Sequence, residues 1–341
     1  MDMNHTNNIA ETFIDATLKE IADKLLSAKN IVICGHINPD GDCLGSQLLL
    51  AMALKSAGKE VYGLLASNSP VDKGLRFLPE IETLQNANSY HGQADAFVSL
   101  DVPNSDRLGS DAASIQKSAN FRITIDHHIP EQKMSEYNYI DTKSASASII
   151  VWQLIKHICP NPTPEMASCA YIGLMTDTGR FQHQNTNAQA LAAAADMVEA
   201  GADIYELTKL VYQRRSVPSL KLEAVALSKM IINQEKRYVI AALSKDDFAN
   251  TGAHKSDAEP VLDSIRSIDG MIVACSLRQL GGQIRGSFRS SDETNVAAMA
   301  ENFGGGGHKA AAGFTLSCSL EEAVQQVIDL LDKTLESQKL A

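Results

Sequence analysis

The sequence predicts an α/β protein in two parts: a larger N-terminal domain on a mostly parallel sheet, then a smaller C-terminal α/β domain. Three observations predict it. The chain has 341 residues, enough for about two domains at roughly 150 residues each. Short apolar runs between residues 31 and 125 alternate with helix-like stretches, the pattern of a parallel sheet covered by helices. That pattern is interrupted at Arg214, Arg215 and Pro218, and a second α/β pattern follows. The expected division is a first domain over 1–212, a linker over 213–219 and a second domain over 220–341.

Ile14, Leu18, Ile21 and Leu25 recur at helical spacing, so an amphipathic helix is expected to open the fold. Ile31 to Cys34 reads as a strand closed by Gly35, and Leu44 to Ala57 as a helix capped by Gly58. Further strands are expected at Val61 to Leu65, Ala96 to Leu100 and Phe121 to Ile125. Helices follow at Ser146 to His157, Glu165 to Met175 and Ala188 to Ala200. In the second domain, strands are expected at Tyr238 to Leu243, Met271 to Leu277 and Gln283 to Phe288, with helices around Val296 and Ala323 and a glycine-rich turn at 304–307.

Composition excludes several classes. With 44% hydrophobic and 21% charged residues the chain reads as an ordinary globular protein. Its net charge of −11 argues against an extended basic surface for long nucleic acid and leaves room only for a small basic pocket. The six cysteines form no CxxC pair and read as reduced, packed thiols, Cys34 and Cys43 included. No run of about 18 apolar residues occurs, so neither membrane spanning nor secretion is expected, and the cytoplasm is the expected compartment.

The chemistry concentrates at strand ends. His36, Asp40 and Asp42 follow the first buried strand in a segment expected to be a turn, because Asn38-Pro39 disfavours helix and Gly41 permits an unusual φ. Asp101 ends a second strand and Asp126-His127-His128 a third, where open α/β sheets place their ligands. Asp177 ends an apolar helical stretch. A single aspartate after a strand is ordinarily a helix cap or turn residue. The concurrence of these pieces points instead to cations: clustered carboxylates repel one another unless protonated or metal-bound. Mixed carboxylate and imidazole ligands suit Mn²⁺, with Mg²⁺ or Zn²⁺ less well matched, and two divalent ions are expected.

His36-x-x-x-Asp40-x-Asp42, Asp101 and Asp126-His127-His128 resemble the motifs of the DHH phosphoesterases, and Gly304 to Gly307 with His308-Lys309-Ala310-Ala311-Ala312-Gly313 resembles the DHHA1 signature. Within that superfamily the chain is most similar to the stand-alone oligoribonuclease and pAp phosphatase group. The resemblance implies that His36, Asp40 and Asp101 hold one Mn²⁺ and that Asp42, Asp101, His127 and Asp177 hold the other, with Asp101 bridging and Mg²⁺ a substitute. It implies that His128 faces the scissile phosphate as a hydrogen-bond donor. It also implies that His308 and the glycines, Gly305, Gly306 and Gly307 among them, contact a terminal phosphate or nucleotide.

Arg285 and Arg289 fall on one face of a strand by alternation and, with Arg278, offer fork-shaped phosphate contacts. Arg107 and Arg180 are expected to orient acidic neighbours, and Trp152, Met175 and Phe181 to be core. The active site is expected in the cleft between the domains, with a metal-bridging hydroxide attacking phosphorus in line. The expected substrates are dinucleotides, very short RNA and 3′-phosphoadenosine 5′-phosphate (pAp), with no membrane or long nucleic-acid partner and a homodimer left open. The alternatives are a phosphodiesterase of cyclic or linear dinucleotide messengers and a nucleotide-sensing module without turnover.

Overall fold

The computed structural model describes residues 13–130 and 133–339. The chain divides into two compact units, Met1–Gln213 and Arg214–Ala341. In the first, strands β1 (Ile14–Asp15), β2 (Asn30–Cys34), β3 (Glu60–Leu65), β4 (Gln85–Asn86), β5 (Ala96–Leu100), β6 (Phe121–Asp126) and β7 (Tyr137–Ile140) form a seven-stranded sheet ordered β1-β7-β6-β5-β2-β3-β4. Every neighbouring pair in it is parallel. Its helices are α1 (Leu18–Ser27), α2 (Gly41–Ser56), α3 (Ser105–Leu108), α4 (Ser110–Ser118), α5 (Ala147–Ile155), α6 (Pro164–Asp177), α7 (Ala188–Glu199) and α8 (Ile204–Tyr212). From β2 the chain proceeds outward one way to β3 and β4; from β5 it proceeds the other way to β6 and β7. The order therefore reverses between β2 and β5, and the helices that follow these two strands pack in different core clusters, α2 in one and α3 and α4 in another, which opens a crevice at the strand ends.

Helix α2 is buried from Gly41 to Leu54 because it lies within the core, packed with α5 and α6. A Cβ on Gly45 would collide with the Cys169 carbonyl of α6, and one on Gly41 with the Thr176 side chain, so small residues set this close approach. Leu44, Leu48, Ile149 and Trp152 fill the surrounding core, each large side chain contributing about 1.5–3 kcal/mol by burial. Met175 is buried there and Phe181 half-buried against it.

Three sequence expectations shift here. The first helix begins at Leu18 rather than Ile14, because Thr17 and Glu20 form a capping box, while Ile14 pairs with Tyr137 in the sheet. The helix expected from Leu44 begins at Gly41, so the run from His36 to Asp42 is not all turn. Asp40 is its N-cap, and the left-handed residue of the preceding loop is Asn38, with φ 55°. Strand β7 went unanticipated because Asn138 interrupts its apolar run; that side chain is buried and donates to the Ser135 carbonyl at 2.6 Å.

The second unit carries α9 (Val217–Ser228), β8 (Ile231–Asn233), β9 (Tyr238–Leu243), α10 (Lys245–Thr251), α11 (Glu259–Arg266), β10 (Val273–Leu280), β11 (Gln283–Ser290), α12 (Val296–Glu301), β12 (Gly306–His308), β13 (Ala311–Leu316) and α13 (Leu320–Lys339). Its six strands run β12-β13-β11-β10-β9-β8, with β9 and β10 parallel and the other neighbours antiparallel. Phe288, Phe314 and Ile284 face one core, with α12 and α13; Val239, Ala241 and Val261 face the other, with α9 and α11. Residues 217–219, expected within a linker, form the first turn of α9, where Pro218 is tolerated because its missing N–H would have no helical partner. Half of the expected glycine turn is strand: Gly306 to His308 pair with Ala311 to Gly313. Among the described residues no helix is long and apolar enough to cross a membrane.

Candidate active site

Asp101 is the hub of the first unit. Its N–H continues the sheet ladder to the Ile125 carbonyl at 3.1 Å, and then its own φ of 58° turns the chain sharply. Left-handed backbone costs a non-glycine residue about 1–2 kcal/mol, and here it sets the carboxylate among three imidazoles. Asp101 Oδ2 lies 3.4 Å from His36 Nε2, and Oδ1 lies 3.5 Å from His127 Nε2 and 3.3 Å from His128 Nδ1.

Each surrounding group is aimed by a partner behind it. His36 donates from Nδ1 to the Ile37 carbonyl at 2.8 Å, which turns Nε2 to Asp101 and, at 3.8 Å, Asp40. Asp40 accepts the Asp42 and Cys43 N–H groups with Oδ1, both at 3.0 Å, so its Oδ2 is the oxygen turned to His36. Asp42, fully buried on α2, accepts the N–H groups of Ala147 and Ser148 at 2.6 and 2.8 Å and the Ser148 hydroxyl. His127 donates from Nδ1 to the Ser144 carbonyl at 3.3 Å, and its Nε2 faces Asp42 and Asp177, both at 3.8 Å. Asp177 ends α6, where Gly179, Arg180 and Phe181 turn in left-handed succession with φ of 53°, 63° and 62°. Its carbonyl is held by Asn185 Nδ2 at 3.2 Å, which also reaches the Ala145 carbonyl at 3.1 Å.

The histidine pair divides its work. Asp126 accepts the N–H groups of both histidines with Oδ1, at 2.7 and 3.0 Å, and accepts His128 Nδ1 at 2.8 Å. His127 therefore presents Nε2 to the carboxylates, whereas His128 turns Nδ1 to Asp126 and packs edge-on against His127 with ring centroids 4.3 Å apart.

Charge balance follows from burial. Burial opposes charge on the histidines, but Asp101 and the other carboxylates outweigh it and lift His36 to about 10, His127 to about 9 and His128 to about 11. Burial also opposes charge on Asp101, yet its three imidazoles hold it well below the usual carboxylate range. Burial together with Asp101 pushes Asp42 well up and Asp177 to about 6. The cluster thus demands positive charge. Asp101 Oδ1 is buried without a hydrogen-bond partner, and the facing nitrogens and oxygens stand 3.3–3.8 Å apart, spacings suited to atoms that share a cation between them. The donor set therefore fits divalent metal: Asp42, His127 and Asp177 form one group able to hold an ion, His36, Cys43 and Asp101 a second, and Asp101, Asp126, His127 and His128 a third that overlaps both.

In the second unit, Arg278, Arg285, Ser287, Gly304, Gly305 and Gly313 line a cavity of about 310 Å³. Arg278 and Arg285 are directly cross-strand, so both guanidinium stems rise from one face. Arg278 donates to Ser287 Oγ at 3.1 Å, while its Nε and the Ser276 hydroxyl are buried without partners. A Cβ on Gly305 would meet the Gly313 carbonyl and Phe314, so glycine keeps this wall thin. Arg289 does not line the cavity. Its face was foreseen, but α11 covers that end of the strand, where Arg289 is half-buried and donates to the Phe288 carbonyl at 3.0 Å. Gly306 and Gly307 lie in β12 beside it, and the His308 side chain is outside the described residues.

The structure adds residues the sequence reading left without a role. Asp126 was visible in the motif, and its position next to the histidines was the available signal. Asn185, Ser144 and Ala147–Ser148 carried none, since their contribution depends on loops distant in sequence. Arg107 and Arg180, expected to orient acids, have no carboxylate partner among the described residues; Arg180 stacks on the Tyr212 ring at 4.4 Å, and Arg107 lies beside His36.

Residues 30–174 match the DHH family, N-terminal domain, and residues 235–337 match the DHHA1 domain. The chain is 31% identical over 306 residues to the bifunctional oligoribonuclease and PAP phosphatase NrnA of Thermus thermophilus, across 89% of this chain and 90% of that protein. Among solved structures it is similar to an exopolyphosphatase-related protein from Bacteroides fragilis, with a TM-score of 0.89, 26% identity, and 94% and 97% of the two chains covered. The exonuclease RecJ bound to manganese has a similar fold, with a TM-score of 0.56, 16% identity and 95% of each chain covered.

Proposed function

Since the chain belongs to the DHH family and carries a DHHA1 domain, we propose that it is a divalent-metal-dependent phosphoesterase. It hydrolyses dinucleotides and very short RNA to mononucleotides, and pAp to AMP. The observation that carries this reading is the convergence on Asp101 of three imidazoles, with a buried carboxylate oxygen that no hydrogen bond satisfies. The NrnA relative, named for both activities, matches along nearly the whole of both chains.

In this reading His36, Asp40 and Asp101 hold one Mn²⁺, and Asp42, Asp101, His127 and Asp177 hold the second, with Mg²⁺ a substitute. Bound there, the ions supply Lewis-acid polarisation of the phosphoryl oxygens and a lowered pKa for water. His128 keeps its ring fixed by Asp126 and its proton held well above neutral pH, so it donates a hydrogen bond to the phosphoryl group. Arg278, Arg285 and Gly305, with Gly306, Gly307 and His308 alongside, bind the phosphate of a terminal nucleotide. A net charge of −11 repels every further phosphate that lacks a cationic partner, which favours short substrates. Six unpaired cysteines suit the reducing cytoplasm, where we place the protein.

The direct test is turnover of pAp and of the diadenylate ApA with Mn²⁺ and with chelator. Hydrolysis of both with Mn²⁺ and of neither with chelator is expected; unchanged turnover in chelator rejects the metal-dependent reading.

A further inference from the structure

Arg107 occupies a position that ion pairing does not explain. It is the third residue of the short helix α3, whose N-cap Asn104 accepts the Arg107 N–H at 3.2 Å. The Arg107 carbonyl accepts the Ile37 N–H at 2.7 Å, so this backbone is bonded to the loop that carries His36. Gly109, with φ 75°, closes the helix, and a Cβ there would press on the Ala66 carbonyl at 2.7 Å, which fixes the turn further. The result is a guanidinium whose Nη2 lies 3.3 Å from His36 Nδ1.

That contact satisfies neither group. His36 Nδ1 already donates to the Ile37 carbonyl, so the guanidinium meets a donor there rather than an acceptor. An arginine near several carboxylates ordinarily pairs with one of them. Arg107 pairs with none among the described residues and is exposed to solvent. A cation held beside a ligand of a cation site is unfavourable until an anion arrives that both can share.

Resting on the phosphoesterase reading, we infer that Arg107 contacts the phosphoryl group under attack and serves phosphomonoesters more than phosphodiesters. The reason is charge. At neutral pH a monoester phosphoryl carries nearly two negative charges, and a diester only one. The additional charge calls for a cationic contact beyond those a diester needs, and a planar, permanently charged fork supplies it. In a protein with both activities, Arg107 would set their ratio.

The test compares wild type, Arg107→Ala and Arg107→Lys on pAp and ApA, with manganese content measured for each. Arg107→Ala should lower kcat/KM about a hundredfold for pAp and less than about fivefold for ApA, at unchanged manganese content. Arg107→Lys should retain part of the pAp preference, because it keeps the charge. Equal losses on both substrates, no loss on either, or loss of manganese would overturn the inference. A binding titration separates its failure from failure of the substrate reading, since it needs no turnover. With manganese present, Arg107→Ala should weaken inorganic phosphate about tenfold and leave dimethyl phosphate unaffected. Wild-type protein inactive on both nucleotides rejects the substrate reading, while equal effects on the two phosphates reject the role of Arg107.

Discussion

In the first unit, each side chain that converges on Asp101 is tied down by a second residue. In the second unit, the arginines of the cavity are held far less, Arg278 by one serine hydroxyl alone. His36, His127 and His128 each commit one ring nitrogen to a carbonyl or carboxylate behind them, and Asp42 accepts two backbone N–H groups. Arg285, by contrast, is exposed, and Arg278 is braced only by Ser287, with Nε unpartnered. The contrast is the one the proposed roles require. A divalent ion tolerates little error in ligand position, so its donors need outer partners. A phosphate on a substrate of variable length needs charge and free N–H groups, and an adaptable guanidinium supplies both.

The most severe way to break this contrast is to remove its hub. Asp101→Asn should lower turnover at least about 10³-fold and reduce manganese content, because one carboxylate serves both groups of donors. Normal metal content in that variant would show the cluster to be something other than a shared site. A finer cut separates the two histidines. His127→Ala should lose metal, whereas His128→Ala should keep it and lose about 10²-fold in kcat, since His128 turns to Asp126. Metal analysis of both purified variants decides this, and equal loss in the two contradicts the division.

Acidity sharpens the same comparison. His36 and His127 hold protons up to about 10 and 9, and a metal ligand must be neutral imidazole. Metal therefore competes with at least one proton at each group, and with a further one at Asp42, so Mn²⁺ affinity should rise about tenfold or more per pH unit for each ion between pH 6 and about 8. Titration calorimetry in buffers of different ionisation heat measures the protons released; an affinity that falls as pH rises has the wrong sign. The smallest effect is expected in the second unit. Arg285→Ala should raise KM for pAp about tenfold and leave kcat and manganese content near wild type, because in the proposed reading it lines the cavity that takes a substrate phosphate and is not one of the donors around Asp101.

Much of this was legible before folding was considered. The strands at Ala96–Leu100 and Tyr238–Leu243 carry their apolar runs intact, and the polar residues that follow β2, β5 and β6 mark the carboxyl edge. Strand β7 was hidden because its buried Asn138 is satisfied by a local carbonyl, which no hydropathy pattern registers. Arg289 was placed on the right face of β11, but alternation does not say which end of a strand a helix covers.

The residue types of the candidate site, and their order along the chain, belong to the sequence alone, because strand ends and motif spacing are local properties. The tertiary structure decided which atoms meet. Asn185 and Ala145 are 40 residues apart, and Asp42 and Ser148 are 106 apart, so their hydrogen bonds exist only once α2, α5 and α6 have packed. It also decided that Arg107 would stand beside His36, 71 residues away, without a carboxylate partner among the described residues, since ion pairing depends on the positions of charges in space and not on their separation along a chain.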